Sequence, residues 1–239
     1  YMQHIPSTAL RDARLELHYA AQVVAACADA WLPVRADDGH TAMEWERPRM
    51  IGALSPSGIA IGVDLEAFAI IGFDARRHDV SFPLAGKTLA QALLWADGRY
   101  GTPRGAHLRD YDLPVSPLRT GAAFAGYPEQ LAELARWYQL GHEALAAVAP
   151  AEGIRIWPHH FDLGAIVDGV GIGLSPGDRY YDEPYFYVTP RTGDPRVPAL
   201  PAGTWRTDEW TGAVLTSTEV GDDAAKARGF VAAALAALR

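Results

Sequence analysis

The sequence predicts an α+β fold in which short antiparallel strands pack against about four main helices. Three observations carry this. Several segments set apolar residues at helical spacing, and other runs alternate in the two-residue period of a half-buried strand. Turns rich in Pro, Gly and Ser separate the short runs closely.

The first helix runs to about Leu32, where Ser7 or Thr8 can cap its start and Pro33 stops it. Leu10, Leu17, Ala21, Val24, Ala25, Ala28 and Trp31 or Leu32 form its apolar stripe. His18 and Gln22, one turn apart beside that stripe, read as a buried polar pair satisfied by neighbours. Past the polar turn Arg35–His40, strands are expected at Thr41–Glu46 and Met50–Leu54, parted by Pro48. The turn Ser55–Gly58 leads into Ile59–Ala67, where apolar residues alternate with small or acidic ones. Phe68–Phe73 is apolar on both faces, as a central strand is. A second helix is expected over about Lys87–Tyr100, a third over Pro128–Val148 and an Ala-rich one over Asp222–Leu238. Later strands are expected at Gly153–Trp157, Gly169–Leu174 and Pro184–Val188, with a Pro-rich loop over Arg191–Trp205.

The chain reads as a single domain, residues 1–239, with halves 1–100 and 128–239. The irregular segment 101–127 is too long for an ordinary connection, so it is a functional loop or a linker between the halves. Both halves run long helix, short strands, helix. His40 precedes Leu54-Ser55-Pro56 by the same interval as His160 precedes Leu174-Ser175-Pro176, an offset of 120. A pseudo-repeat is the expectation that follows.

Composition bounds the function. With 49% hydrophobic and 21% charged residues, the chain can bury a substantial core. A net charge of −8 argues against nucleic-acid binding by bulk phosphate neutralisation, and against attraction to anionic lipid. The lone Cys27 excludes an intrachain disulfide and a Cys-rich zinc module, and its apolar neighbours read as a core position. The short polar start Tyr1–Ser7 is unlike a secretory leader, and no run reaches the roughly 20 apolar residues of a membrane helix. These readings predict a cytoplasmic chain whose partner is a small molecule, with oligomeric state open. The excess of Arg over Lys, with Ala-rich helices, points to a GC-rich bacterial genome.

Polar and aromatic residues are densest over Ile154–Asp162 and Ser175–Val188. His160-Phe-Asp162 has the spacing that sets imidazole and carboxylate on one strand face. Such a pair can supply two ligands of a two-His, one-carboxylate metal site. No His follows His160, so a third ligand must come from His40 or from Glu183 or Asp178. The expected metal ligands are therefore His40, His160 and Glu183, around a divalent ion such as Fe, Zn or Mn. Asp162 and His159 are the expected catalytic groups, and Asp162 can alternatively orient a histidine. The competing reading has His159 and His160 bonding turn carbonyls.

Gly173-Leu-Ser175-Pro-Gly177 matches the nucleophile-elbow spacing, but Asp178–Pro184 is a poor helix start and no His follows, so it reads as a turn. Trp157, Tyr181 and Tyr185 are the expected substrate-binding residues, because tyrosine and tryptophan offer flat apolar faces with a polar tip. Tyr185 and Tyr187 share a strand face. Equally, these can be core aromatics. Arg76, Arg77, Arg104, Arg109 and Arg119 can bind an anion, though solvated loop charge is the better default.

The motifs Trp157-Pro-His-His-Phe-Asp-Leu163, Ser175-Pro-Gly-Asp178 and Glu183-Pro-Tyr-Phe-Tyr-Val188 resemble those of a bacterial protein family of unknown function. The helix leading to His40-Thr41 is similar to it as well. The resemblance implies that the His/Asp/Tyr region is a site, and implies no particular reaction. Three readings stay open: a small-molecule enzyme with a His/carboxylate site that holds a metal, a ligand- or partner-binding protein with an aromatic pocket, and a metal-free acid/base pair of His160 with Asp162 fixing its tautomer.

Overall fold

The structure is a computed structural model that describes residues 5, 9–74, 80–190 and 199–238. The expected caps Ser7 and Thr8, the pair Arg76-Arg77 and the first part of the Pro-rich loop lie outside the described residues. The fold is α+β, with eleven strands and five α-helices among the described residues. No described helix is long and apolar enough to cross a membrane. The chain forms two compact units. The first draws mainly on Asp12–Ala135 and Ile156–Phe161, the second on Arg136–Arg155 and on the chain from Asp162.

In the first unit, α1 (Leu10–Trp31) is followed by β1 (Met43–Glu46), β2 (Arg49–Gly52), β3 (Ala60–Asp64), β4 (Ala69–Phe73) and β5 (Val80–Pro83). Each strand pairs antiparallel with the next, so the chain meanders. In β1 the two-residue period is plain, with Met43 and Trp45 buried and Glu44 and Glu46 exposed. The helix closes on the sheet where Gly52 presents no side chain, since a Cβ there would stand 2.6 Å from Val24 Cγ1. α2 (Leu89–Tyr100) starts at a capping box between Thr88 and Gln91 and ends at Gly101 in the left-handed conformation.

Residues 101–127 are not a spacer, because the whole segment belongs to the first unit. Arg104 donates to the carbonyls of Asp29, Ala30 and Leu32, which end α1 unpaired. Tyr19 donates from its hydroxyl to Pro114 O at 2.8 Å, and Phe124 exchanges backbone hydrogen bonds with Gly86 and Lys87. α3 (Pro128–Ala146) begins in this unit and ends in the second. β6 (Arg155–Trp157) pairs with β1 through Ile156 and Met43.

The second unit carries β7 (Asp162–Val167), β8 (Val170–Ser175), β9 (Tyr185–Pro190), β10 (Thr204–Arg206), β11 (Gly212–Thr216), α4 (Ser217–Val220) and α5 (Ala224–Ala237). Leu163, Leu174 and Phe186 form one cross-strand row, and Leu163 and Leu174 pack on Gly141 of α3. The opposite face carries Asp162, Ser175 and Tyr185, then Gly164, Gly173 and Tyr187. The first three strands of each unit's meander run alike, but the orders then part. β4 and β5 follow in sequence, whereas β11 pairs with β9 and β10 takes the edge. The structure therefore does not establish the pseudo-repeat.

Candidate functional site

In the first unit the expected residues His40, Trp157, His159 and His160 fall in one polar and aromatic neighbourhood. Its floor is a charged network. The Arg35 backbone N–H donates to His40 Nδ1 at 3.2 Å, which puts the ring's proton on Nε2. Nε2–H then donates to Asp29 Oδ1 at 2.9 Å, and the residue is 3% exposed. Arg109 joins Asp29 Oδ1 at 2.8 Å to Asp38 Oδ1 at 2.9 Å, pinning the irregular segment to the end of α1 and to the turn after it. With both ring nitrogens engaged, His40 has no lone pair left for a metal.

The turn Trp157–Phe161 closes with the Phe161 N–H donating to Trp157 O at 2.6 Å, and Phe161 holds φ at 61°. Pro158 O accepts from His18 Nε2 at 2.8 Å and from Gln22 Nε2 at 2.7 Å, so the buried pair on α1 anchors this turn. The His18 ring stacks on Phe161 at 4.6 Å. Burial lowers the His18 pKa to about 4, so the ring is neutral near pH 7.

His159 is held differently. Its ring lies 4.3 Å from that of His160, 5.4 Å from Tyr111 and 6.0 Å from Trp157. Nδ1 is buried and has no hydrogen-bond partner. Burial lowers its pKa, the His160 ring adds to that, Asp38 opposes it and Arg109 assists it. Tyr111 meets Thr41 Oγ1 at 3.3 Å and lies under the Arg109 guanidinium, and burial raises its pKa so that it keeps its proton. His160 is exposed.

The remaining expected residues belong to the second unit. Tyr187 donates to Asp162 Oδ2, and Tyr185 donates to Asp178 Oδ2 at 2.6 Å. Burial, with the carboxylate beside each, raises both phenol pKa values, so these tyrosines stay protonated donors. Asp178 Oδ1 accepts from the backbone of Tyr180 and Tyr181, shaping the turn beyond β8. The Tyr181 ring lies 4.8 Å from Tyr185. Glu183 Oε2 accepts from Ser217 Oγ, Thr218 N and Thr218 Oγ1, at the start of α4. Ser175 is 4% exposed, and its Oγ accepts from Gly177 N, as a turn residue does.

The expected ligand set His40, His160 and Glu183 is therefore corrected. His40 serves Asp29, Glu183 serves the start of α4, and no three His, Cys, Asp or Glu side chains gather as a metal-binding group among the described residues. Sequence reasoning did not single out Asp29, Asp38, Thr41 and Tyr111 as site residues. Only the unusual length of the 101–127 segment marked part of that region. Comparison with protein-family models, curated proteins and solved structures finds no match to this chain.

Proposed function

We propose that the protein is a small-molecule enzyme that moves a proton at His159, with Trp157 and Tyr111 flanking the substrate. One observation carries this reading. The rings of His18 and His40 are tied to protein acceptors, whereas His159 has a buried Nδ1 without a partner on a half-buried ring. A histidine whose pKa lies below its ordinary value is a neutral base at pH 7, which suits general-base work on a polar substrate. Asp38 and Arg109 act on that base electrostatically and so adjust its strength.

The test uses p-nitrophenyl acetate, whose hydrolysis reports a reactive neutral imidazole. Saturable turnover by the wild type, reduced about 10²-fold or more in His159→Gln, is the expected result. Equal turnover by the two proteins contradicts the reading. Turnover that persists after chelation agrees with a proton-transfer site built from side chains alone. Loss on chelation, restored by Zn, Fe or Mn, would move the chemistry to a metal held by the paired imidazoles of His159 and His160. A second reading, binding without turnover, draws on the aromatic walls at Tyr111 and Trp157. Ligand quenching of Trp fluorescence with no reaction favours it.

A further inference from the structure

Residues 105–113 of the first unit carry Tyr111 to the ring of His159, 5.4 Å away, and they are fastened unevenly. Both ends of the stretch are firm. Arg104 is bonded to the carbonyls of Asp29, Ala30 and Leu32, and Pro114 O accepts from the buried Tyr19. Between those anchors, and among the described residues, the backbone of 106–112 bonds only locally, where Tyr111 O accepts from Leu113 N. Leu113 is buried, but His107, Asp110 and Asp112 are exposed, so little apolar burial holds the stretch down.

What fastens its middle is polar. Arg109 donates to Asp29 Oδ1 on α1 and to Asp38 Oδ1 in the turn after it, and the three side chains are 24%, 33% and 28% exposed. Tyr111 adds its contact with Thr41 Oγ1 at 3.3 Å. Ion pairs this open to water are weak, and salt weakens them further. A segment with firm ends and a weak polar fastening between them opens locally without unfolding its surroundings. We infer that residues 105–113 form a lid over His159, held shut by Arg109 across Asp29 and Asp38. Release of Arg109 carries Tyr111 off the imidazole and admits small molecules to that ring. The use of the lid rests on the reading of His159 as a proton-transfer site, whereas its opening does not.

Two readouts that need no turnover test this. One is amide hydrogen exchange followed by mass spectrometry. The other is carbethoxylation by diethyl pyrocarbonate, a small electrophile that marks accessible imidazoles, with the exposed His160 as its internal reference. Asp38→Asn removes one ion pair and keeps the turn, because φ at position 38 is 54°, a conformation asparagine also adopts. Arg109→Gln removes both pairs. Exchange over 105–113 should quicken about threefold in the first variant and about tenfold in the second, with α1 and β1–β4 unchanged. His159 modification, relative to His160, should rise in the same order. Asp38 raises the His159 pKa, so its loss alone would make the ring a weaker nucleophile, and faster modification reports access. Sodium chloride at about 0.5 M should quicken the same amides in the wild type and leave Arg109→Gln nearly unchanged, which carries the test if either variant fails to fold. Gated modification without ester turnover would refute the proton-transfer reading and leave the lid standing. Unchanged exchange over 105–113, quickening spread evenly over the unit, or quicker exchange with unchanged His159 modification overturns the inference.

Discussion

Histidine at position 18 shows how burial converts a side chain into a pH-dependent stabiliser. Its Nε2–H is committed to Pro158 O, and its pKa in the folded chain is about 4, against an ordinary 6.5. As pH falls, the unfolded chain takes up the proton first. The stability linked to this residue is therefore complete above about pH 6.5, declines as pH drops and levels off below about 4. The loss is about 3 kcal/mol. His18→Gln, which can still donate to Pro158 O, should flatten the pH dependence of the urea midpoint between pH 7 and 4. Parallel curves for the two proteins would contradict this account. Spacing on α1 made the buried His18–Gln22 pair legible in the sequence, but not its acceptor, which lies 140 residues away. The same limit hid Asp29 as the partner of His40. A carboxylate on a helix looks like solvated charge until the fold brings Arg109 and an imidazole to it. Cys27 was legible from its neighbours, and burial pushes its thiol pKa up to about 12.

At the scale of elements, close approach decides which substitutions the second unit tolerates. Gly164 and Gly173 are cross-strand partners, and Tyr187, opposite Gly173 on β9, lays its ring over them. A Cβ at position 173 would stand 2.3 Å from the phenol, so Gly173→Ala must displace Tyr187 from Asp162. The expected cost is about 2–3 kcal/mol. Gly98 lies in α2, where an added Cβ meets nothing within 4 Å, so Gly98→Ala should stabilise by about 0.5–1 kcal/mol. Chemical denaturation of both variants checks the pair, and equal effects would contradict the packing argument. Helical periodicity placed α1, α2, α3 and α5 within a few residues, because their apolar stripes are long. The shared face of Tyr185 and Tyr187 was also legible, since a strand's period is rigid. β5, β7, β10 and β11 were not. Val80–Pro83 ends in a proline, Thr204–Arg206 is three residues long, and the apolar run Gly212–Thr216 merges into helix-like sequence.

For the molecule as a whole, patterning gave the fold class without giving strand order. Adjacent hairpins are local, whereas the pairing of β11 with β9 and of β6 with β1 joins segments distant in sequence. The histidine motif at 157–162 spans both compact units. Trp157, His159 and His160 belong to the first unit with Tyr111, while Asp162 belongs to the second with Tyr187. The base that stands out is His159, whose buried Nδ1 has no hydrogen-bond partner. The measurement that tests this most directly is the pH profile of p-nitrophenyl acetate turnover, taken on the wild type beside His159→Gln. The rate should rise with the neutral form of a group whose midpoint lies below 6.5, then level off, and that rise should be absent from the variant. A midpoint at or above 6.5, or a profile unchanged by the substitution, would contradict proton transfer at His159.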